Sequence, residues 1–345
     1  MILDVSYDEM FDLARENRIP LIATMELTTM CNFKCMHCYQ DNKKIFMPKS
    51  KAIDLIDTLT ERGCVFLNFT GGEPLLHPDF DSIYSYAYNK GLKITIQSNA
   101  SLITKEVMEL FIKHPPRKFE ITLYGVDEES YAEFTGNPNG YLDVMNALKM
   151  LCDHGFHVIL KAFINEVTIK NAKQIKAIAS RFGCELRIAH ITWPTLNQDR
   201  SPLERQIAIS RLDEFVDESH YKEIKDLQGT KVGDELFTCE AGRSSVYISS
   251  ELDMKMCVFD TFSNKSLEQS SFEEIWQSFS KYHQLRIDKE SKCYNCDDRA
   301  ICGICPAWSH MMYGDFKMNN ASIFCDNSKE LRRLMKGIEG SQDDQ

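Results

Sequence analysis

Between Leu21 and Thr192 the chain alternates six short strand-like runs with segments of helical periodicity. The runs are Leu21 to Leu27, Val65 to Phe69, Lys93 to Gln97, Phe119 to Leu123, His157 to Ile164 and Glu185 to Thr192. Between them apolar residues recur at three- and four-residue spacing: Ala52, Leu55, Ile56 and Leu59, then Val107, Leu110 and Phe111, then Leu142, Met145, Leu148 and Leu151, then Ile175, Ile178 and Ala179. A further helix near 79–90 ends at Gly91, and Ser6 with Glu9 forms a capping box for a helix that stops before Pro20. Strands separated by helices cannot pair through tight turns, so the pattern predicts a parallel sheet joined by crossovers. An open sheet and a partial barrel both satisfy it, and periodicity does not choose between them.

After about residue 200 the pattern changes. A helix is expected near 203–216, followed by a charged stretch. Val246 to Ile248 and Met254 to Met256 read as a hairpin, Phe272 to Phe279 as a short helix, 293–305 as loop and Gly340 to Gln345 as a frayed end. The expected organisation is a lead-in over 1–20, an α/β barrel-like domain over 21–200, a linker over 201–234, a Cys-rich domain over 235–330 and a tail over 331–345.

The 345 residues include 51 acidic and 40 basic side chains, a net charge of −11. That balance argues against nucleic acid as a partner. No run of 18 apolar residues predicts a membrane span, and the N-terminal MILDVSYDEM lacks the basic start of a signal peptide, so a cytoplasmic location is expected. Thirteen cysteines are then anomalous, because disulfides are disfavoured in a reducing compartment and an odd number cannot all pair.

The cysteines segregate. Cys31, Cys35 and Cys38 share one loop after the first strand; Cys239, Cys257, Cys293, Cys296, Cys302, Cys305 and Cys325 fall in the last third. Cys64, Cys152 and Cys184 stand apart and read as small buried hydrophobes. Soft thiolates select zinc, copper(I) or iron–sulfur clusters. A [4Fe–4S] cube wants one ligand per iron, so three thiols leave one iron open to a small molecule.

The run Cys31-Asn-Phe-Lys-Cys35-Met-His-Cys38, placed after the first strand of an α/β domain, resembles the signature of the radical S-adenosylmethionine (radical SAM) enzymes. Thr70-Gly71-Gly72-Glu73-Pro74, after the second strand, resembles that family's motif for the methionyl amine; glycines permit close backbone approach and a carboxylate suits an ammonium group. The resemblance implies a six-stranded partial (β/α)6 TIM-like barrel. It also implies a cluster on Cys31, Cys35 and Cys38 whose open iron takes the amino and carboxylate groups of SAM, and reductive cleavage to a 5′-deoxyadenosyl radical. Gly71, Gly72, Glu73 and Pro74 would bind SAM, His37 would lie near the adenine, and Ser98 and Thr122 would add contacts at two strand ends. Where some relatives carry an arginine, this chain has Phe134.

The C-terminal segment, Cys293-x2-Cys296-x5-Cys302-x2-Cys305, resembles the SPASM extension, which binds two auxiliary [4Fe–4S] clusters. The resemblance assigns Cys293, Cys296, Cys302 and Cys325 to one cluster and Cys239, Cys257 and Cys305 to the other. Two features depart from the family: Leu252 stands where a glycine is usual, and Gly303-Ile304 gives a spacing of two where three is usual. Zinc, or a single auxiliary cluster, is the alternative.

The function these motifs imply is hydrogen abstraction from a substrate, leading to oxidative cross-linking of a ribosomally made peptide. A tetrapyrrole, a sulfatase residue or a cofactor precursor is the alternative substrate, and an iron–sulfur electron carrier or zinc-structured module is the reading without catalysis. A reductant such as flavodoxin or ferredoxin is an expected partner. About 20 residues precede the first strand, so a separate leader-peptide-binding protein, or direct binding in the barrel, is expected in place of an N-terminal recognition domain. No general base stands out. Asp127, Glu128 and Asp253 are candidates that read first as solvated charges.

Overall fold

The computed structural model describes residues 6–40, 43–216, 233–318 and 322–342. The alternation appears as read: α1 (Tyr7–Glu16), β1 (Ile22–Glu26), α2 (Lys49–Glu61), β2 (Phe66–Thr70), α3 (Phe80–Asn89), β3 (Lys93–Ser98), α4 (Lys105–Lys113), β4 (Lys118–Leu123), α5 (Glu128–Thr135), α6 (Gly140–Asp153), β5 (Val158–Phe163), α7 (Ala172–Phe182) and β6 (Glu185–Ala189). The capping box at Ser6 forms as expected, and Gly63, Gly91, Gly155 and Gly183 take positive φ just after helices. α5 was not expected. It is one short turn-pair between β4 and α6, opened by a capping box in which Asp127 accepts from Ser130, so Asp127 is a helix cap.

β1 to β6 are parallel neighbours in sequence order. The C-terminal part extends the same sheet. β7 (Ser245–Ile248) pairs parallel with β1, placing Ile22 beside Ser245, and β8 (Asp253–Lys255) and β9 (Lys265–Ser266) follow antiparallel. Among the described residues nine strands form this one sheet, with β6 and β9 at its two edges, so the barrel does not close. The hairpin was legible from alternation. Its docking on β1 was not, because edge pairing depends on where a distant segment arrives.

The two faces of the sheet differ. Phe69 packs on Phe80 of α3 and Phe119 on Phe111 of α4, with ring centroids 6.2 and 5.0 Å apart. These residues and Met25, Leu67, Ile94, Ile96, Ile121 and Leu160 are buried in one core. The other face carries Glu26, Asn68, Thr95, Gln97, Lys118, Glu120, Thr122 and Lys161 at alternate positions. A polar inner face under an apolar outer one is the pattern of a strand set wrapped around a site.

Two expectations need correction. The helix placed at 203–216 is two 3-10 segments, Ser201–Arg205 and Ile209–Glu214. The break falls at Gln206, whose side chain accepts from Thr192 N at 2.7 Å and donates to His190 O at 2.8 Å, tying the chain to the end of β6. The C-terminal end is not frayed where it is described: a helix runs Ser322–Gln342 and carries Cys325. The segment 293–305 contains one helical turn, Arg299–Cys302, and is followed by a helix Pro306–Tyr313. The charged stretch at 217–232 lies outside the described residues.

Candidate active site

Cys31, Cys35 and Cys38 hang over the C-terminal ends of β1 to β5 and line one cavity of about 230 Å³. Gly71, Gly72, Gln97, Ser98, Asn99, Glu120, Thr122 and Lys161 complete the polar part of its wall. Cys31 Sγ accepts from Phe33 N at 3.4 Å and Asn99 Nδ2 at 3.8 Å. Burial is the main force on all three thiols, pushing Cys31 up to about 11, Cys35 well above the ordinary thiol range and Cys38 upward. Buried thiols that cannot ionise on their own deprotonate when a metal takes the charge.

The glycine pair also has a packing task. Gly72 N donates to Thr28 O at 2.8 Å and Glu73 N to Met30 O at 2.7 Å. A Cβ on Gly71 would overlap the carbonyl oxygen of Thr28, and one on Gly72 that of Met30. The pair therefore lets the β2 exit pack directly on the segment leading to Cys31. Both glycines still face the cavity, but Glu73 and Pro74 do not line it. The Glu73 carboxylate is fully buried and accepts from Ser98 Oγ and Asn99 N, both at 2.8 Å, and from Leu75 N at 3.2 Å. Burial pushes its pKa up to about 7 against those hydrogen bonds. Its side chain joins the ends of β2 and β3, and Ser98 is held by it.

His37 and Thr122 both reach the cavity. The His37 ring stacks on Phe163 with centroids 4.5 Å apart and has Tyr124 and Phe134 at 5.6 and 5.2 Å. Burial lowers its pKa to about 4, so the imidazole is neutral, and its Nδ1 is buried with no partner among the described residues. Phe134, in place of an arginine, is wholly buried and stacks on Tyr124 at 5.3 Å. One wall of the cavity is thus aromatic.

Three soft donors, a neutral unpartnered imidazole nitrogen and a wall of small backbone positions fit an iron–sulfur cluster with SAM beneath it. Among the described residues no three Cys, His, Asp or Glu side chains are drawn together as ligands of a single ion would be.

The other seven cysteines separate in space. Cys293, Cys296, Cys302 and Cys325 line one pocket with Lys292, Asp298 and Arg299. The thiols of Cys239, Cys257 and Cys305 lie close enough to act electrostatically on one another. Burial raises Cys257 and Cys305 first, and backbone N–H groups of Phe259, Ala307 and Trp308 oppose it. Gly303, at φ +64, reverses the chain after Cys302, so that Cys305 leaves its sequence neighbours. The two-residue spacing is accommodated by that turn. Leu252 takes φ +64 as well, the left-handed conformation that a glycine would adopt without strain. The three remaining cysteines are buried or half-buried, as read, but Cys152 and Cys184 lie with their sulfurs 3.8 Å apart.

The residues that sequence reading missed are Glu120, Lys161 and Phe163. For Glu120 a signal existed: Lys118, Glu120 and Thr122 alternate with Phe119, Ile121 and Leu123, which marks a strand with a polar buried face.

The sequence profile of the radical SAM superfamily matches residues 25–181, and that of the SPASM iron–sulfur cluster-binding domain matches residues 239–297. The chain carries a radical SAM domain and a SPASM domain; its cofactors are SAM, the radical SAM cluster and auxiliary iron–sulfur centres. It is similar to the AdoMet-dependent heme synthase of Methanosarcina barkeri, at 23% identity over 86% of this chain and 94% of that one. It is also similar to the antilisterial bacteriocin subtilosin biosynthesis protein AlbA of Bacillus subtilis, at 27% identity over 85% of this chain and 68% of that one. The fold matches that of Streptococcus suis SuiB bound to its precursor peptide SuiA, with a TM-score of 0.67 at 17% identity over 86% of this chain and 74% of that one. Among the described residues no helix is long and apolar enough to cross a membrane.

Proposed function

We propose that this radical SAM enzyme oxidatively modifies a ribosomally made peptide, with Cys31, Cys35 and Cys38 holding the SAM-cleaving cluster. The observation that carries the reading is the open side of the barrel. On β6 the inward-facing Glu185, Arg187 and Ala189 are exposed, while the inward residues of β1 to β4 are mostly covered. An extended chain can enter along such an edge and bring one side chain to the cavity. AlbA, a bacteriocin biosynthesis protein, and the fold shared with peptide-bound SuiA–SuiB support this substrate class.

When bound, the cluster and SAM supply a hydrogen-abstracting radical. The chain's own residues do the rest. Gly71 and Gly72 set the cysteine loop against β2, Thr122 and Ser98 present hydroxyls at strand ends, and the aromatic wall of Phe163, Tyr124 and His37 excludes water and offers a flat face for the adenine. Cys293, Cys296, Cys302 and Cys325 would hold one auxiliary cluster and Cys239, Cys257 and Cys305 a second, and such clusters would supply one-electron redox chemistry. A reductant of the flavodoxin or ferredoxin class completes the system.

The test is to reduce the anaerobically reconstituted enzyme with SAM and short peptides encoded beside its gene. Formation of 5′-deoxyadenosine together with a peptide lighter by two hydrogens is expected. Deoxyadenosine formation with no neighbouring peptide altered would sink the peptide reading. A tetrapyrrole is the second reading, favoured by the near full-length match to the heme synthase.

A further inference from the structure

The inner face of the barrel carries a set of charges that neither the cysteines nor the SAM motifs use. Gln97 registers with Glu120, and Thr122 registers with Lys161, which registers with Arg187. Residues directly opposite in a parallel pair share a face, so Gln97 and Glu120 form one polar row across β3 and β4, and Thr122, Lys161 and Arg187 form a second from β4 to the exposed edge at β6.

Glu120 is the hub. Its carboxylate accepts from Lys118 Nζ at 2.6 Å, from Gln97 Nε2 at 3.1 Å and from Lys161 Nζ. Burial alone would raise its pKa, but Lys161 and Lys118 outweigh burial and hold it down at about 2. Glu120 is therefore a fixed anion and not a proton acceptor. It neutralises one lysine and leaves another charge over. Lys118, Lys161 and Arg187 face Glu120 and Glu185, and Arg187 bonds Glu185 at 2.6 Å on the exposed edge. Across β4 to β6 three cations thus stand against two carboxylates, a local excess of one positive charge on this part of the inner face.

That charge is directed. Lys118 is the more enclosed of the two lysines, with its side chain 13% exposed, whereas Lys161 is 38% exposed and lines the thiol cavity. An ammonium has three donors, and the Glu120 contact takes one. Among the described lining residues Lys161 is the cation of this cavity. It also lies on the side away from the methionyl motif. β5 is three strands from β2, on the order of 14 Å across the sheet, and Arg187 beside it opens to solvent.

We propose that Lys161, backed by Arg187, receives a carboxylate of the substrate as it enters from the β6 side. This rests on the reading of the open barrel edge as the substrate entrance. The ligand chemistry is a carboxylate: an acidic side chain or C-terminus of a peptide, or the propionate of a tetrapyrrole. Lys161 is a specificity-determining residue, and Glu120 is a positioning residue that fixes its ammonium.

The experiment is ligand-observed saturation-transfer NMR on oxidised, reconstituted holoenzyme with two matched pairs. One is acetyl-Gly-Glu-Gly-amide against acetyl-Gly-Gln-Gly-amide; the other is mesoporphyrin IX against its dimethyl ester. At least one carboxylate member should bind about tenfold tighter than its neutral partner, as a charge-assisted hydrogen bond would give. The advantage should vanish in Lys161→Met and Arg187→Gln and persist in Lys161→Arg. Two results overturn the proposal: equal binding within both pairs, or a Lys161→Met variant that loses SAM affinity and keeps the carboxylate preference. If only the porphyrin pair responds, the carboxylate site stands and the peptide reading falls. If neither pair responds while a gene-neighbour peptide is still modified, the reverse holds.

Discussion

The hydroxyl of Tyr247 on β7 donates to the buried carboxylate of Glu26 on β1 at 2.6 Å. The same carboxylate accepts from Gln40 Nε2 at 2.5 Å and from Ser250 Oγ at 2.7 Å. Gln40 follows the cysteine loop by two residues and Ser250 begins the β7–β8 turn, so one side chain ties the SAM-cleaving loop to the strands of the auxiliary domain. Removing one donor from a buried carboxylate costs about 1–3 kcal/mol. Tyr247→Phe should lose that much stability in denaturant unfolding, and Glu26→Ala, which strands four donors with the Ser250 N–H included, should lose more. Equal melting of wild type and Tyr247→Phe would show the contact to be idle.

Glu73 makes stability depend on pH. Its folded pKa is raised from 4.5 to about 7 by burial, so the fold prefers the protonated form. The stability this provides is full below about pH 4.5 and is lost as the pH rises through about 7. At most roughly 3 kcal/mol is at stake. Glu73→Gln keeps a neutral group in place, so the stability gap between variant and wild type should widen in favour of the variant between pH 4.5 and 7.5. A gap that stays constant across that range is the outcome that rules this out.

Gly72 should tolerate no side chain. A methyl group there overlaps the Met30 carbonyl, which is backbone and cannot rotate away. Gly72→Ala is expected to displace the loop that begins at Cys31 and to lower the iron bound after reconstitution, while iron at the auxiliary sites stays. Full iron content in the variant would show that the loop has slack.

The seven C-terminal cysteines should behave as two groups. Cys302→Ala and Cys325→Ala should each remove about one cluster, roughly four irons per chain, and the double variant should lose no more than either alone. Cys302→Ala combined with Cys305→Ala should lose both clusters, although these residues are nearly adjacent in sequence. Additive loss within the first pair would dissolve the grouping.

Leu252 offers a test of two opposed terms. Replacing it with glycine relieves left-handed strain of about 1–2 kcal/mol and removes a buried leucine worth about 1.5–3 kcal/mol, while adding backbone freedom to the unfolded chain. Leu252→Gly should therefore be destabilising by about 1 kcal/mol despite the family's preference for glycine, as read by chemical denaturation. A more stable variant would mean that backbone strain outweighs packing here.

The sequence by itself determined the six parallel strands and their helices, because apolar spacing and helix-stopping glycines are local properties. It also put three soft ligands in one loop, and the resemblance of the Cys31–Cys38 and Thr70–Pro74 runs to radical SAM motifs implied the cofactor chemistry. Tertiary structure alone decided the rest. Glu73 turns into its own backbone because β3 supplies donors at Ser98 and Asn99, 25 and 26 residues away. Cys305 parts from Cys302 because Gly303 reverses the chain, and β7 joins β1 across more than two hundred residues. Lys118, Glu120 and Lys161 meet only because strand register sets which side chains share the inner face. Periodicity records which way a residue faces; which residue it faces depends on how distant segments pack, and no local pattern carries that.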